Sequence, residues 1–313
     1  MPGRKQHEAV SATPGSPPAS ATRSRLVSHV TLAGAACLMF LAGCTAEREP
    51  PLDTSFRLTG RPLVLPLDSY QASPADQALV EQAHAELFRR CMAGMGFAVP
   101  SRSSVGPVAF DPHRERYLLA DEQAARTRGY HPPAALRTAA GRGVSDAQTT
   151  SPGYAAAANG TGRAGGGRDA AVPPGGCAGD AYAKLTPSSV TEAMERVAAL
   201  RDWSWDRSQH DSRVVAAFTA WSSCMAALGY DYPTPRAANN DVAFKTGEPT
   251  PREIATAVAD VRCKRRTKVV ETWAAVEAAY QNQAIAEHRA DLQKTKNVVA
   301  AQVAAARMVV RGR

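Results

Sequence analysis

Glu86-Leu87-Phe88-Arg89-Arg90-Cys91-Met92-Ala93-Gly94-Met95-Gly96-Phe97 and, far downstream, Thr219-Ala220-Trp221-Ser222-Ser223-Cys224-Met225-Ala226-Ala227-Leu228-Gly229-Tyr230 are two copies of one pattern, Cys-Met-x-x-x-Gly-aromatic. Leading into the first copy, Leu79, Ala83, Leu87, Cys91 and Met95 recur every four residues, which places them on one face of an α-helix. In the second copy a helix runs through Val214, Phe218, Trp221, Cys224, Met225 and Leu228 to Gly229. In each copy the Gly ends the helix, because glycine takes the left-handed backbone of a helix stop without a steric penalty, and the aromatic folds back. The repeat predicts an all-α protein.

Helix starts support that class. Ser73-Pro74-Ala75-Asp76 reads as an N-cap, a proline at the first helical position and an acid in the first turn. Thr186-Pro187-Ser188-Ser189 leads into a helix over Val190 to Leu200, Asp211 caps the helix of the second copy, and a short helix is expected near Tyr117 to Arg128, stopped by Gly129. Thr250-Pro251-Arg252-Glu253 reads as a capping box, with Glu three residues past the cap. No Gly or Pro follows it until Gly312, so one helix of about sixty residues, roughly 90 Å long, is expected. Ile254, Val258, Val261, Val269, Trp273, Val276 and Tyr280 form its apolar stripe. A small domain cannot cover so long a helix, whose end should project, fray or pair with another chain.

Composition limits the packed volume. Only 6% of the 313 residues are aromatic, and the 23 Gly and 22 Pro gather in stretches without periodicity. The expected organisation is a leader over 1–43, a Pro-rich flexible tether over 44–72, a first helical segment over 73–133, a disordered Ala/Gly-rich insertion over 134–176, and a second helical segment with the long C-terminal helix over 177–313. The formal net charge is +8; Arg4, Lys5, Arg23 and Arg25 against Glu8 place +3 of it in the leader, leaving +5 on the rest. That balance suits anionic surfaces and does not make a nucleic-acid binder.

The leader is an export signal. A basic, polar stretch ends in Arg23-Ser24-Arg25, and Leu26 to Ala42 follow as an apolar run without a charge. Seventeen residues, softened by Ser28, His29 and Thr31, fall short of the ~20 that span a bilayer, which weighs against an uncleaved anchor. The run closes in Leu41-Ala42-Gly43-Cys44, which resembles the lipobox of bacterial lipoproteins and implies cleavage before Cys44 and a diacylglyceryl group on its thiol, a reading preferred over plain secretion. Two acyl chains, at roughly 0.8 kcal/mol per buried methylene, hold a protein durably at the outer face of the cytoplasmic membrane.

Outside the cytosol, four cysteines in a chain with a small core point to two disulfides. Of the three pairings open to Cys91, Cys177, Cys224 and Cys263, Cys91 with Cys177 and Cys224 with Cys263 is preferred, because each bridge joins a helix end to the next element of its own copy. Each would stabilise by roughly 2 to 4 kcal/mol.

The second copy carries a resemblance. Trp221-Ser222-Ser223-Cys224-Met225, Gly229-Tyr230-Asp231-Tyr232-Pro233, the stretch from Ile254 to Lys264, and Trp273-Ala274-Ala275-Val276-Glu277 with Tyr280 look like an uncharacterised actinobacterial lipoprotein family, over roughly residues 75–97 and 177–295. The resemblance implies an exported, lipid-anchored helical protein and brings no catalytic residues.

Chemistry is hard to find in the rest. No zinc, redox, nucleophile-elbow or acylation motif occurs, and no cofactor, metal ligand or catalytic residue is expected. Gly160 to Gly165 spells a dinucleotide fingerprint but follows no strand. Asp111-Pro112-His113 and His210-Asp211 are close His/Asp pairs better read as loop and cap. Trp203, Trp205, Trp221 and Trp273 read as core, with Trp203-Ser204-Trp205 able to expose a ring between helices. Lys264, Arg265, Arg266 and Lys268 form the densest positive cluster, a solvated helix face or a contact for lipid headgroups or an acidic partner. The expected function is non-enzymatic binding or scaffolding at the cell envelope. Its partners would be membrane lipid through Cys44 and a protein through the C-terminal helix. A substrate-capturing subunit of an envelope transporter and a cell-wall enzyme of unrecognised type are the alternatives.

Overall fold

The computed structural model describes residues 48–53, 63–99, 113, 115–133, 152–160 and 171–312, and all regular structure among them is helical. In chain order the helices are α1 (Pro74–Gly94), α2 (Glu122–Arg128), α3 (Pro152–Asn159), α4 (Gly176–Leu185), α5 (Ser188–His210), α6 (Ser212–Ala226), α7 (Pro235–Asn239), α8 (Pro251–Thr267), α9 (Val269–Glu287) and α10 (Arg289–Arg311), with tight 3-10 turns at Pro66–Tyr70 and Val242–Phe244.

Local signals place the helix ends. Ser73, Asp121, Asp211 and Thr250 each accept a hydrogen bond from a backbone amide two or three residues on, capping α1, α2, α6 and α8. At the ends of α1 and α6 the two motif copies make the same turn. Gly96 (φ +84°) and Gly229 (φ +86°) lie in the left-handed region. Their amides reach Ala93 and Ala226, and the amides of Phe97 and Tyr230 reach the carbonyls of Met92 and Met225 at 2.9 and 3.0 Å. This is a Schellman stop written twice.

Both expected disulfides are present. Cys91 pairs with Cys177 and Cys224 with Cys263, at Cα separations of 5.5 and 5.7 Å.

Helix α9 lies at the centre, packed by α5, α6, α8 and the Pro66–Tyr70 turn. Its buried positions run round the helix: beside the stripe of Val269, Trp273, Val276, Tyr280 and Ala284, Ala274, Ala278, Ala279 and Gln281 are buried as well. Trp221, Met225, Val214 and Cys263 close on Trp273 to make the aromatic core, and Phe218 meets the same ring edge-on. A second region, smaller in its side chains, forms where α1 meets α4 and α10 around Val80, Ala83, Leu185, Val303 and Ala306. Helix α5 bridges the two, touching α9 and α10.

Three sequence expectations are corrected. The single long helix is three helices: Lys268 adopts a left-handed backbone (φ 54°, ψ 35°) and His288 leaves helical geometry (φ −108°, ψ 23°). Without the first break, α8 and α9 could not both turn their apolar faces, Cys263 on one side and Val269 and Trp273 on the other, onto the same core. The second break lets Leu292, Val303 and Ala306 bury against the body, so the end does not project. Arg90 bonds the carbonyls of Val309 and Gly312, and Arg307 pairs with Asp76, pinning that end to α1.

The tether is shorter than residues 44–72. Leu65 and Leu67 are fully buried, and the Leu67 amide donates to Gln281 Oε1 at 2.9 Å. Earlier still, Glu49 Oε1 accepts from the Ser212 amide at 2.6 Å, and Pro50 is buried. Within the insertion expected over 134–176, α3 is ordered, with Tyr154, Ala157 and Ala158 buried against Met92 and Cys177. The aromatic Tyr154 gives that helix something to bury, although its neighbours are small. Residues 134–151 and 161–170 lie outside the described residues.

Candidate functional site

Helix α2 is held across the first turns of α8. Asp121 caps it, Gly129 ends it, and the Glu253 carboxylate of α8 then accepts from the Tyr130 amide at 2.8 Å and lies 2.9 Å from His131 Nδ1. Gly129 has φ +54°, and a Cβ there would collide with Glu253 Oε1, so this approach requires glycine. His131 Nε2 donates to the Thr246 carbonyl at 2.8 Å, tying the same segment to the loop before α8. Glu253 therefore does more than the capping box required of it. Its amide bonds Thr250 Oγ1 as expected, but its side chain is buried and serves the neighbouring segment.

On the outer side of this junction runs a shallow groove of about 650 Å³ lined by Pro251, Ile254, Ala255 and Val258, with Arg126 and Arg262 at its sides. Beneath it Ala125, Ala257, Val261 and Leu119 pack tightly. The Glu122 carboxylate bridges three guanidiniums: Arg126 at 2.5 Å, Arg262 at 3.1 Å and Arg265 at 3.3 Å. Hydrogen bonds from Arg126 and Arg262 hold the Glu122 carboxyl below its ordinary range. One carboxylate cannot neutralise three guanidiniums, so the wall of the groove keeps a local surplus of positive charge.

The expected cationic run divides at this site. Arg265, Arg266 and Lys268 are exposed, and Arg265 joins the groove's arginines only through Glu122. Lys264 is not available to an anionic partner. It is buried, with Nζ 2.9 Å from Asp260 Oδ2 and 2.8 Å from the Leu119 carbonyl. Burial raises the Asp260 carboxyl, while Lys264 and donors from Trp221 and Tyr130 pull the other way. Position on the helix explains the split: Lys264 follows Asp260 by four residues on the inner face, and its neighbours point outward.

Other charged groups pair within the body of the molecule. Glu277 accepts from Arg116 Nε at 2.9 Å, from the Tyr117 hydroxyl at 2.9 Å and from Gln281 Nε2 at 2.9 Å. Asp68 accepts from His113 Nε2 at 2.8 Å. Burial pushes the Asp68 carboxyl up, but the His113 and Leu65 hydrogen bonds outweigh it and leave the pKa below its ordinary value. None of these partnerships was visible in the sequence, since Asp68 and His113 lie 45 residues apart and Arg116 and Glu277 lie 161 apart. The only available signal was a pair of polar residues, Glu277 and Gln281, spaced by four within an otherwise Ala-rich and aromatic helix.

His113 turns to Asp68, and Asp111 lies outside the described residues; His210 Nδ1 donates to the Asp206 carbonyl, and Asp211 pairs with Arg213 while capping α6. Trp221 and Trp273 are core residues, as expected. Trp203 and Trp205 lie inside α5, which runs ten residues past its expected end at Leu200. Both rings are half-buried, Trp203 against Tyr280 and Trp205 between Trp273 and the Arg236 guanidinium 4.4 Å above it. Cys44 and Thr161 to Gly165 lie outside the described residues. Among the described residues no group of His, Cys, Asp and Glu is arranged to hold a metal, and no helix is long and apolar enough to cross a membrane.

Compared with family models, with curated proteins and with solved structures, the chain matches none.

Proposed function

We propose that the protein is an exported lipoprotein, fastened through acyl chains on Cys44 to the outer face of the cytoplasmic membrane, that binds a partner and does not catalyse a reaction. The observation that carries the binding role is the groove between α2 and α8, where Glu122 shares its charge among Arg126, Arg262 and Arg265 beside the apolar Ile254 and Val258. Guanidiniums and aliphatic side chains hold a ligand; they do not move its protons or attack it. The partner is an anion with an apolar portion, an alkyl phosphate or carboxylate in chemical terms. Export is supported by the signal-like leader, by the likeness to the lipoprotein family, and by two cystines that suit an oxidising compartment. The contact surface expected on a projecting C-terminal helix moves to this groove, since α10 turns its apolar stripe onto α1 and α5.

Calorimetric titration of the mature chain with dodecyl phosphate tests the reading. Binding should weaken by about tenfold or more in Arg126→Ala/Arg262→Ala, a loss of at least ~1.4 kcal/mol, and inorganic phosphate should bind worse than the alkyl ester. Equal affinity for the two proteins would remove the groove from consideration. The apolar floor also favours a second reading, a substrate-capturing subunit of an envelope transporter. Co-purification of a polytopic membrane partner in a complex that the groove variant cannot form would select it.

A further inference from the structure

The chain is seated on the body of the molecule very soon after Cys44. Glu49 reaches the first turn of α6, taking the Ser212 amide at 2.6 Å and the Ser212 hydroxyl at 2.8 Å, and Arg213 Nη2 donates to the Pro50 carbonyl at 3.0 Å. The Glu49 carboxylate thus satisfies a backbone donor at a helix N-terminus, and the guanidinium holds the next peptide. Five Cα steps separate Cys44 from Glu49, a reach of about 17 Å at full extension. A seat so close to the anchor leaves the body little freedom to turn.

We infer that the end of the molecule where α5 meets α6 faces the phospholipid bilayer, with Leu52 and Val215 against the interface; this rests on acylation of Cys44. The chemistry of that end fits. Leu52 and Val215, at 41% and 46%, are among the exposed large aliphatic side chains of the described residues, with Val64, Leu228 and Val242. Arg207 in the last turn of α5 and Arg236, which donates to Gln209 Oε1 at 2.5 Å, set two guanidiniums at the same end, while Arg213 is committed to Asp211 and the Pro50 carbonyl. Aliphatic side chains at the headgroup boundary with guanidiniums among phosphates is the arrangement by which peripheral proteins rest on anionic membranes. The opposite end lies far away. Tyr182, 53% exposed, has its hydroxyl 3.5 Å from Thr191, and the helix from Thr191 to the junction at Asp211 is about 30 Å long at 1.5 Å per residue.

The test uses the full lipidated chain reconstituted into vesicles of phosphatidylglycerol and dibrominated phosphatidylcholine, with mass spectrometry of the same sample. After subtraction of the parent's own tryptophan signal, Leu52→Trp should lose emission to the bromine atoms and Tyr182→Trp should keep it. Adding Glu49→Ala to Leu52→Trp should diminish that contrast, because the seat is what fixes the orientation. With the diacylglyceryl mass present on Cys44, equal quenching at both positions, quenching at neither, or contrast unchanged by Glu49→Ala overturns the inference. Association between copies of the chain in the vesicles with Leu52 unquenched assigns this surface to a dimer and overturns it as well. Absence of the acyl mass overturns the lipoprotein reading itself, whatever the emission shows.

Discussion

The two copies of the Cys-Met-x-x-x-Gly-aromatic pattern close their helices with the same hydrogen bonds, yet they sit in unlike surroundings. The second is embedded in aromatic packing, with Trp221 and Met225 buried against Trp273 and a buried Lys264–Asp260 pair alongside. Around the first, Met92 packs on Tyr154, Ala157, Ala158 and Cys177, with the half-buried rings of Phe88 and Phe97 at its edge and no tryptophan. The motif therefore encodes a helix stop and a place for a bridge, and the residues outside it decide how much core forms there. Region by region, stability should follow the surroundings and not the motif.

The largest effect should come from the second region. Lys264→Ala leaves the Asp260 carboxylate buried without its ammonium, at a cost of about 3 to 5 kcal/mol. Urea unfolding followed by far-ultraviolet circular dichroism measures it, and a loss below that of an ordinary surface substitution would show that water replaces the lysine. Removing the bridges comes next, at roughly 2 to 4 kcal/mol each. Cys91 and Cys177 are 86 residues apart and Cys224 and Cys263 are 39 apart. Chain entropy alone then makes Cys91→Ala/Cys177→Ala about 0.7 kcal/mol more costly than the other pair. The reverse order, in paired denaturation curves, would mean that aromatic packing around the second bridge outweighs loop length.

The helix stops offer a sharper comparison. A Cβ at Gly96 or Gly229 meets nothing within 4 Å, so only the positive φ opposes alanine there. Gly96→Ala and Gly229→Ala should each cost about 1 to 2 kcal/mol, nearly equal despite their surroundings; unequal costs would show that the motif is not an independent local unit. The smallest effect is a pH dependence at the Pro66–Tyr70 turn, away from both copies. Asp68 has a lower pKa folded than unfolded, so its contribution to stability is full above its ordinary 3.8 and is lost as pH falls through the depressed folded value. Asp68→Asn should flatten the acid limb of a melting-temperature profile below pH 4.

Helix class, cap residues, both stops and both bridges were legible in the sequence because each is written within a few residues. The bridges needed one further step, the rule that each copy pairs with its own following cysteine. What escaped was written across distance. Lys268 and His288 carry no glycine or proline to announce a break; the first break brings Val269 and Trp273 onto the core that Cys263 shares, and the second takes Leu292 to another. Lys264 reads as one more member of a basic run until Leu119, 145 residues earlier in the chain, supplies its carbonyl. The groove shows the same limit: Arg262 and Arg265 were on view, but their meeting with Glu122 depends on Gly129 letting α2 approach Glu253.

On the export reading proposed above, a chain that threads through a membrane pore from its amino end presents Cys91 and Cys177 before Cys224 and Cys263. Order of emergence then favours the consecutive connectivity over either crossed one.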